Sequence, residues 1–241
     1  MINKQKYRFQ FKQFGINDNN CAMKIGTDGV LLGAWADISK SKNILDVGSG
    51  NGLISLMLAQ RSNAFITGIE IDQHAASQSI DNINDSPWSN RINIVNKDFI
   101  TWGYDSNNTC IFDHIVSNPP FFNNGPIAPS SARANARHEN SLGYEQLIKT
   151  SYSLLSNEGK ISLISPIERK NDIIFYSELI NLHITRITIV YSKNMTKPVR
   201  ILWELSKQKK PLIQSHLSIR NCDNNYSDEY ISLTKDFYLN F

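Results

Sequence analysis

Short apolar runs alternate with amphipathic stretches along most of the chain. Ile44 to Val47, Ala64 to Ile71, Ile92 to Val95, Phe112 to Ser117, Ile161 to Ile164, Ile184 to Val190 and Val199 to Leu205 read as buried strands. Between them, Leu53 to Ala59, Asp72 to Ile83, residues 144–156 and residues 171–182 place apolar side chains at helical spacing. Strands alternating with helices of this length predict an α/β fold. It is a doubly wound, mostly parallel seven-stranded sheet with helices on both faces.

Ahead of the first strand lies a short extension, residues 1–40, with the main domain expected over 41–241. In the extension Tyr7, Phe9 and Phe11 alternate with polar residues, which predicts a short strand or hairpin, and Asn17 to Asn20 predicts a loop. Thr27 to Trp35 predicts a helix with Thr27 as N-cap, and Asp72 caps the helix it opens. Gly29 and Gly33 inside the first helix each cost about 1 kcal/mol of propensity, for which a close packing or ligand contact and simple tolerance of poor propensity are equal readings. The longest irregular stretch is Asn123 to Asn140. Loops of that length beside a site are usually functional or disordered.

The chemistry gathers at strand ends. The first strand runs into Gly48, Ser49, Gly50, Asn51 and Gly52, and a helix follows at once. Glycine at alternate positions permits positive φ and close approach of a ligand to the backbone. The N–H groups opening the next helix are expected to serve a ligand's negative end. The spacing departs from the dinucleotide pattern GxGxxG, and Asp46 precedes it. The fourth strand stops at Asn118-Pro-Pro-Phe121. In a sheet of order 3-2-1-4-5 both loops flank one crevice at the carboxyl ends of the strands. Glu70 closes the second strand, where a carboxylate can bond a ribose diol, and Asp98 follows the third, where one can accept from an adenine amino group.

Composition narrows this little. The net charge of +3 permits an anionic partner without demanding one. Cys21, Cys110 and Cys222 are odd in number and far apart, and the five histidines are scattered, so neither a disulfide framework nor a metal site is indicated. The longest apolar run, Val30 to Ala36, is far too short to span a bilayer, and no apolar signal core follows Lys4, Lys6 and Arg8. A cytoplasmic protein with no membrane association is expected.

Asp46-Val-Gly-Ser-Gly-Asn-Gly52 resembles the first motif of the class I S-adenosyl-L-methionine-dependent methyltransferases, and Asn118-Pro-Pro-Phe121 resembles their fourth. Phe11-Lys-Gln-Phe14, the run Cys21 to Ala36, Asn82 to Trp88 with Arg91-Ile-Asn93, Asn225-Tyr-Ser and Phe237-Tyr-Leu239 resemble the bacterial valine-tRNA adenine-N6 methyltransferases. The similarity runs from about Phe9 to Phe241 and is least close over 160–215. It implies a Rossmann-like methyltransferase domain, with the extension covering the cofactor site. Asp46, Gly48, Ser49, Gly50 and Gly52 would hold the methionine end of S-adenosyl-L-methionine, with Thr27 and Asp28 closing over it. Glu70 would bind the ribose, and Asp98 with the Phe99 backbone the adenine. The family often has tyrosine where this chain has Phe121, and guanine-N2 methyltransferases share Asn-Pro-Pro-Phe.

An adenine N6 lone pair is delocalised into the ring and is a poor nucleophile. The Asn118 oxygen and the Pro119 carbonyl can each accept one N6–H bond, which favours a pyramidal nitrogen. Pro119 and Pro120 stiffen the turn so that the acceptors are held in advance. Phe121 offers a stacking face, worth about 1–3 kcal/mol. The target base must leave its stack, which an RNA loop allows most cheaply. The expected activity is N6 methylation of an adenosine beside the anticodon of a valine tRNA by a monomeric enzyme. Guanine-N2 methylation of rRNA, glutamine-N5 methylation of a protein and an RNA-binding module without turnover are alternatives. Lys12, Arg133 and Arg137 are the expected RNA contacts, within a wider set that includes Lys24, Arg169, Lys193, Lys197 and Arg200.

Overall fold

The structure, a computed structural model, describes residues 7–104, 111–120, 143–194 and 196–241. A two-residue hairpin, β1 (Phe9–Gln10) with β2 (Gly15–Ile16), precedes the first helix, α1 (Thr27–Trp35). The βα units follow in order: β3 (Asn43–Val47), α2 (Leu53–Arg61), β4 (Phe65–Glu70), α3 (Gln73–Asn84), β5 (Ile92–Asn96), a short α4 (Phe99–Gly103) and β6 (Phe112–Ser117). After these come α5 (Tyr144–Leu154), β7 (Leu155–Pro166), α6 (Lys170–Leu179), β8 (His183–Lys193), β9 (Pro198–Ser206), β10 (Ile213–Arg220) and α7 (Asp228–Thr234).

The main sheet has the order β10-β8-β9-β7-β6-β3-β4-β5. Its five-strand core is therefore the expected 3-2-1-4-5 arrangement, all parallel. β9 runs antiparallel to both β7 and β8. The sheet has eight strands where seven were expected. The extra one, β10, comes from the tail and pairs parallel to β8. Its side chains are mostly exposed, so no apolar run announces it.

Adjacent strand residues face opposite layers, which splits the core in two. Ile44, Val116, Ile164 and Leu202 pack with α1, α2 and the tail residues Tyr230 and Phe237. Leu45, Ile115, Leu163 and Trp203 pack with Phe99 and with Leu147 and Ile148 of α5. Phe11, Phe14 and Ile16 of the N-terminal extension belong to the first of these layers. Lys12 Nζ donates to the main-chain oxygens of Lys235 and Phe241 at 2.6 and 2.9 Å, clasping the tail to the hairpin.

One local expectation changes. Gly26, not Thr27, is the N-cap of α1, and no side chain caps that end. The glycine penalty inside α1 is offset by packing: a Cβ at Gly33 would lie 2.8 Å from Met57 Sδ of α2. Asp72 does cap α3, accepting from Ala75 N–H.

Candidate active site

Gly48, Gly50 and Gly52 have φ of 73°, 55° and 82°, the left-handed region that disfavours any Cβ. The backbone donors of this loop are used differently from the expectation. Gly48 and Ser49 N–H both donate to the Ile69 carbonyl at 2.8 and 3.0 Å, and Gly52 N–H donates to the Ser49 carbonyl at 2.8 Å. Gly50 N–H donates to Glu70 Oε2 at 2.8 Å, and Leu53 N–H to Asn51 Oδ1 at 3.1 Å. The loop is strapped to the end of β4 because the two strands run parallel with Val47 opposite Ile69. What the glycines offer a ligand is space: a Cβ on Gly48 or Gly50 would meet no atom of the described residues within 4 Å.

A cleft of about 930 Å³ opens over the carboxyl ends of the strands. Its wall includes Thr27, Asp28, Gly48, Ser49, Gly50, Glu70, Asp98, Phe99, Asn118, Pro119 and Pro120. The strand register explains the meeting of the two motifs. Val47 of β3 pairs with Ser117 of β6, and Ser117 Oγ donates to the Val47 carbonyl at 3.0 Å. Gly48 and Asn118 are thus the next residues out of two adjacent strands, whose spacing is about 4.8 Å. Asn118 Oδ1 is buried and has no hydrogen-bond partner among the described residues. Glu70 uses its second oxygen to accept from Asp72 N–H at 2.9 Å. Asp98 Oδ1 caps α4, accepting from Thr101 N–H and Thr101 Oγ1 at 2.8 Å each.

Asp46 and Gly52 stand behind the cleft rather than in its wall. Asp46 is fully buried, and its Oδ2 accepts from Ser55 N–H at 3.1 Å and Ser55 Oγ at 2.7 Å, anchoring the first turn of α2. Burial pushes its carboxyl up to about 7, against the lowering effect of the Ser55 bonds. A Cβ on Gly52 would come 2.6 Å from Ser79 Oγ, so this glycine seats α2 against α3. Lys12 sits at the tail clasp, outside the cleft wall. Phe121, Arg133 and Arg137 lie outside the described residues.

Sequence reasoning did not bring Cys21, Asp72, Lys97 or Gln146 to the site, and all four line it. Burial, with Asp18 adding to it, raises the Cys21 thiol to about 11, so it is protonated at neutral pH and is no nucleophile. Arg200 also lines the cleft, and its Nε donates to Asp28 Oδ2 at 2.8 Å. The antiparallel course of β9 delivers Arg200, near the start of that strand, to the end where the parallel strands finish.

The wall carries four carboxylates, Asp28, Glu70, Asp72 and Asp98, against Lys24, Lys97 and Arg200. With the Gly48, Ser49, Gly50 and Gly52 amides already bonded, the glycine side of this cleft suits a ligand bearing a positive centre and hydroxyls better than a pyrophosphate. Among the described residues no group of His, Cys, Asp or Glu could hold a metal ion, and no helix is long and apolar enough to cross a membrane.

The family model for the methyltransferase small domain matches residues 23–194. Over 231 residues the chain is 42% identical to the tRNA1(Val) (adenine(37)-N6)-methyltransferase of Bacteroides fragilis, a match covering 96% of this chain and 97% of that protein. This chain belongs to the tRNA1(Val) (adenine(37)-N6)-methyltransferase family. A protein of the same name from Shewanella baltica is 40% identical over 239 residues, covering 97% of this chain and 99% of its own. Among solved structures, a predicted O-methyltransferase of Agrobacterium tumefaciens superposes with a TM-score of 0.69 at 20% identity, over 87% of this chain and 96% of that one. At that identity the likeness is one of fold. In this member of the tRNA1(Val) (adenine(37)-N6)-methyltransferase family, the glycine loop and the Asn118 turn open on one cleft.

Proposed function

We propose that this protein methylates N6 of the adenosine beside the anticodon, position 37, of a valine tRNA, with S-adenosyl-L-methionine as methyl donor. The observation that carries the reading is the Asn118 side-chain oxygen, buried and without a partner among the described residues, in the wall that also holds the glycine loop. A buried acceptor left unsatisfied costs about 1–3 kcal/mol, which a substrate N–H would relieve. The relatives' names favour adenine over guanine and tRNA over protein.

The cofactor supplies an activated methyl group on a sulfonium. Its fit rests on the bonded loop amides, the open space over Gly48 and Gly50, and the carboxylates around them. The open faces of Gly48, Ser49 and Gly50 hold the methionine end, with Thr27 and Asp28 closing over it from the N-terminal extension. Asp46 and Gly52 act from behind, fixing α2 under the loop. Glu70 takes the ribose hydroxyls; Asp98 and the Phe99 backbone take the adenine.

Asn118 Oδ1 and the Pro119 carbonyl accept the two N6–H bonds of the target adenine, turning its lone pair toward the donor. Pro119 and Pro120 keep those acceptors from relaxing, so positioning contributes most of the rate. Phe121 stacks on the target base. Arg133 and Arg137 contact the RNA backbone, and the enzyme works as a cytoplasmic monomer.

Transfer of labelled methyl groups to bulk tRNA, rRNA and total protein in parallel, followed by nucleoside analysis, tests this. N6-methyladenosine in tRNA is the expected product. N2-methylguanosine in rRNA, or label confined to protein, would replace the reading with one of its alternatives.

A further inference from the structure

The cations of the cleft wall divide by strand order. Lys97 follows β5, the edge strand on the Glu70 side, and Lys24 lies in the segment before α1, with its Nζ donating to the Asp18 and Asn19 carbonyls at 2.6 and 3.3 Å. Arg200 stands on the opposite flank, two strands beyond β6 in the order β6-β7-β9, and lines the cleft that Gln146 and Asn118 also line. Strand spacing puts its backbone about 10 Å from the strand that carries Asn118. The Nη1 bond back to the Val199 carbonyl keeps the guanidinium near β9, so the gap to the Asn118 strand stays of that order.

Asp28 Oδ2 binds Nε at 2.8 Å, and Arg200 Nη1 donates to the Val199 carbonyl at 2.9 Å, so the plane of the guanidinium is set. A half-buried, oriented guanidinium is the group best matched to a phosphodiester, because its planar fork meets two oxygens at once. The separation from Asn118 suits the span between a nucleotide's base and its own phosphate.

We infer that Arg200 is a phosphate anchor for the target nucleotide: it binds the phosphodiester attached to the nucleotide whose base rests on Asn118, and Asp28 is the positioning residue that orients it. This rests on the RNA methylation reading above. It adds a contact inside the cleft to the backbone contacts expected from the surface.

The test uses the full-length enzyme and an RNA anticodon stem-loop carrying the target adenosine. One version of the RNA has the phosphodiester flanking that adenosine replaced by a neutral methylphosphonate. Arg200→Ala is expected to raise KM for the unmodified loop about ten-fold or more. The slope of log affinity against log salt should become shallower by about 0.7. The methylphosphonate should weaken binding to wild type but have little further effect on Arg200→Ala. Arg200→Lys, which keeps the charge and guards against misfolding of the alanine variant, should recover the salt slope and only part of the KM.

Losses from the variant and the modified RNA that simply add would overturn the inference. So would an Arg200→Ala enzyme whose cofactor Kd rises while its RNA salt slope stays the same. If wild type leaves the unmodified loop unmethylated but labels rRNA or protein, the functional reading has failed instead.

Discussion

Glu70 Oε2 accepts the Gly50 N–H at 2.8 Å, while the other oxygen of the same carboxylate accepts from Asp72 N–H at 2.9 Å. One side chain therefore ties the glycine loop after β3 to the start of α3, and it does so from the cleft wall. The acid proposed for the ribose also shapes the loop proposed to face the methionine end.

Glu70→Ala is expected to weaken cofactor binding by more than one lost hydrogen bond, because the loop loses its strap as well. Bonds to a charged group are worth about 1.5–3 kcal/mol, so Kd by calorimetry should rise at least ten-fold. A Kd equal to wild type would sink the ribose assignment.

Asn118→Ala should act on turnover instead. Removing an acceptor used only at the reacting nitrogen lowers kcat by about 10²–10³, with cofactor Kd unchanged. Single-turnover kinetics would separate this from slow product release. Retention of the wild-type chemical rate would remove Asn118 from the mechanism.

Asp46 links stability to pH. Burial pushes its folded-state carboxyl up to about 7 from the ordinary 3.8, so between those values the native state holds a proton that the unfolded chain has lost. Stability contributed by this group is full at low pH and falls as pH rises from about 4 to about 7, flattening above that; the drop is on the order of 4 kcal/mol. Asp46→Asn, which keeps an acceptor for Ser55, should flatten that part of the profile in urea unfolding. A variant whose stability falls as steeply as wild type between pH 4 and 7 would refute the linkage.

Gly52→Ala is a structural change near the site but not in it. The left-handed φ of 82° and the approach to Ser79 Oγ both oppose a Cβ. Urea unfolding should show a loss of about 1–3 kcal/mol. Wild-type stability in this variant would mean that the turn adapts freely.

Lys12→Ala separates a fold role from an RNA role. With Nζ bonded to the main-chain oxygens of Lys235 and Phe241, its loss should lower the melting temperature by a few degrees and leave RNA affinity unchanged. A weaker RNA complex at unchanged melting temperature would restore Lys12 as a contact.

Much of the site was legible in one dimension because its parts are strand ends. The apolar runs ending at Val47, Ile71, Val95 and Ser117 stop within one residue of the ends of β3, β4, β5 and β6, and Gly48, Glu70, Asp98 and Asn118 stand at or just past those stops. Arg200 was not legible as a cleft residue. It sits near the beginning of an apolar run, which in a parallel strand would be the far end of the sheet, and only the reversed direction of β9 brings it across. Nor was β10, whose outward side chains lack the pattern of a buried strand.

The sequence by itself determined the α/β class and the places of the glycine loop and the Asn118 turn, since periodicity, glycine and proline act through local sterics; the 3-2-1-4-5 order that joins them in one cleft came from the tertiary structure. Tertiary structure decided which atoms of those loops remain for a ligand. Hydrogen bonds between chain-distant groups (Gly50 to Glu70, Ser55 to Asp46, Arg200 to Asp28) consume some donors and leave the Asn118 oxygen without a partner among the described residues. Such partnerships depend on strand order and register, which no local pattern encodes.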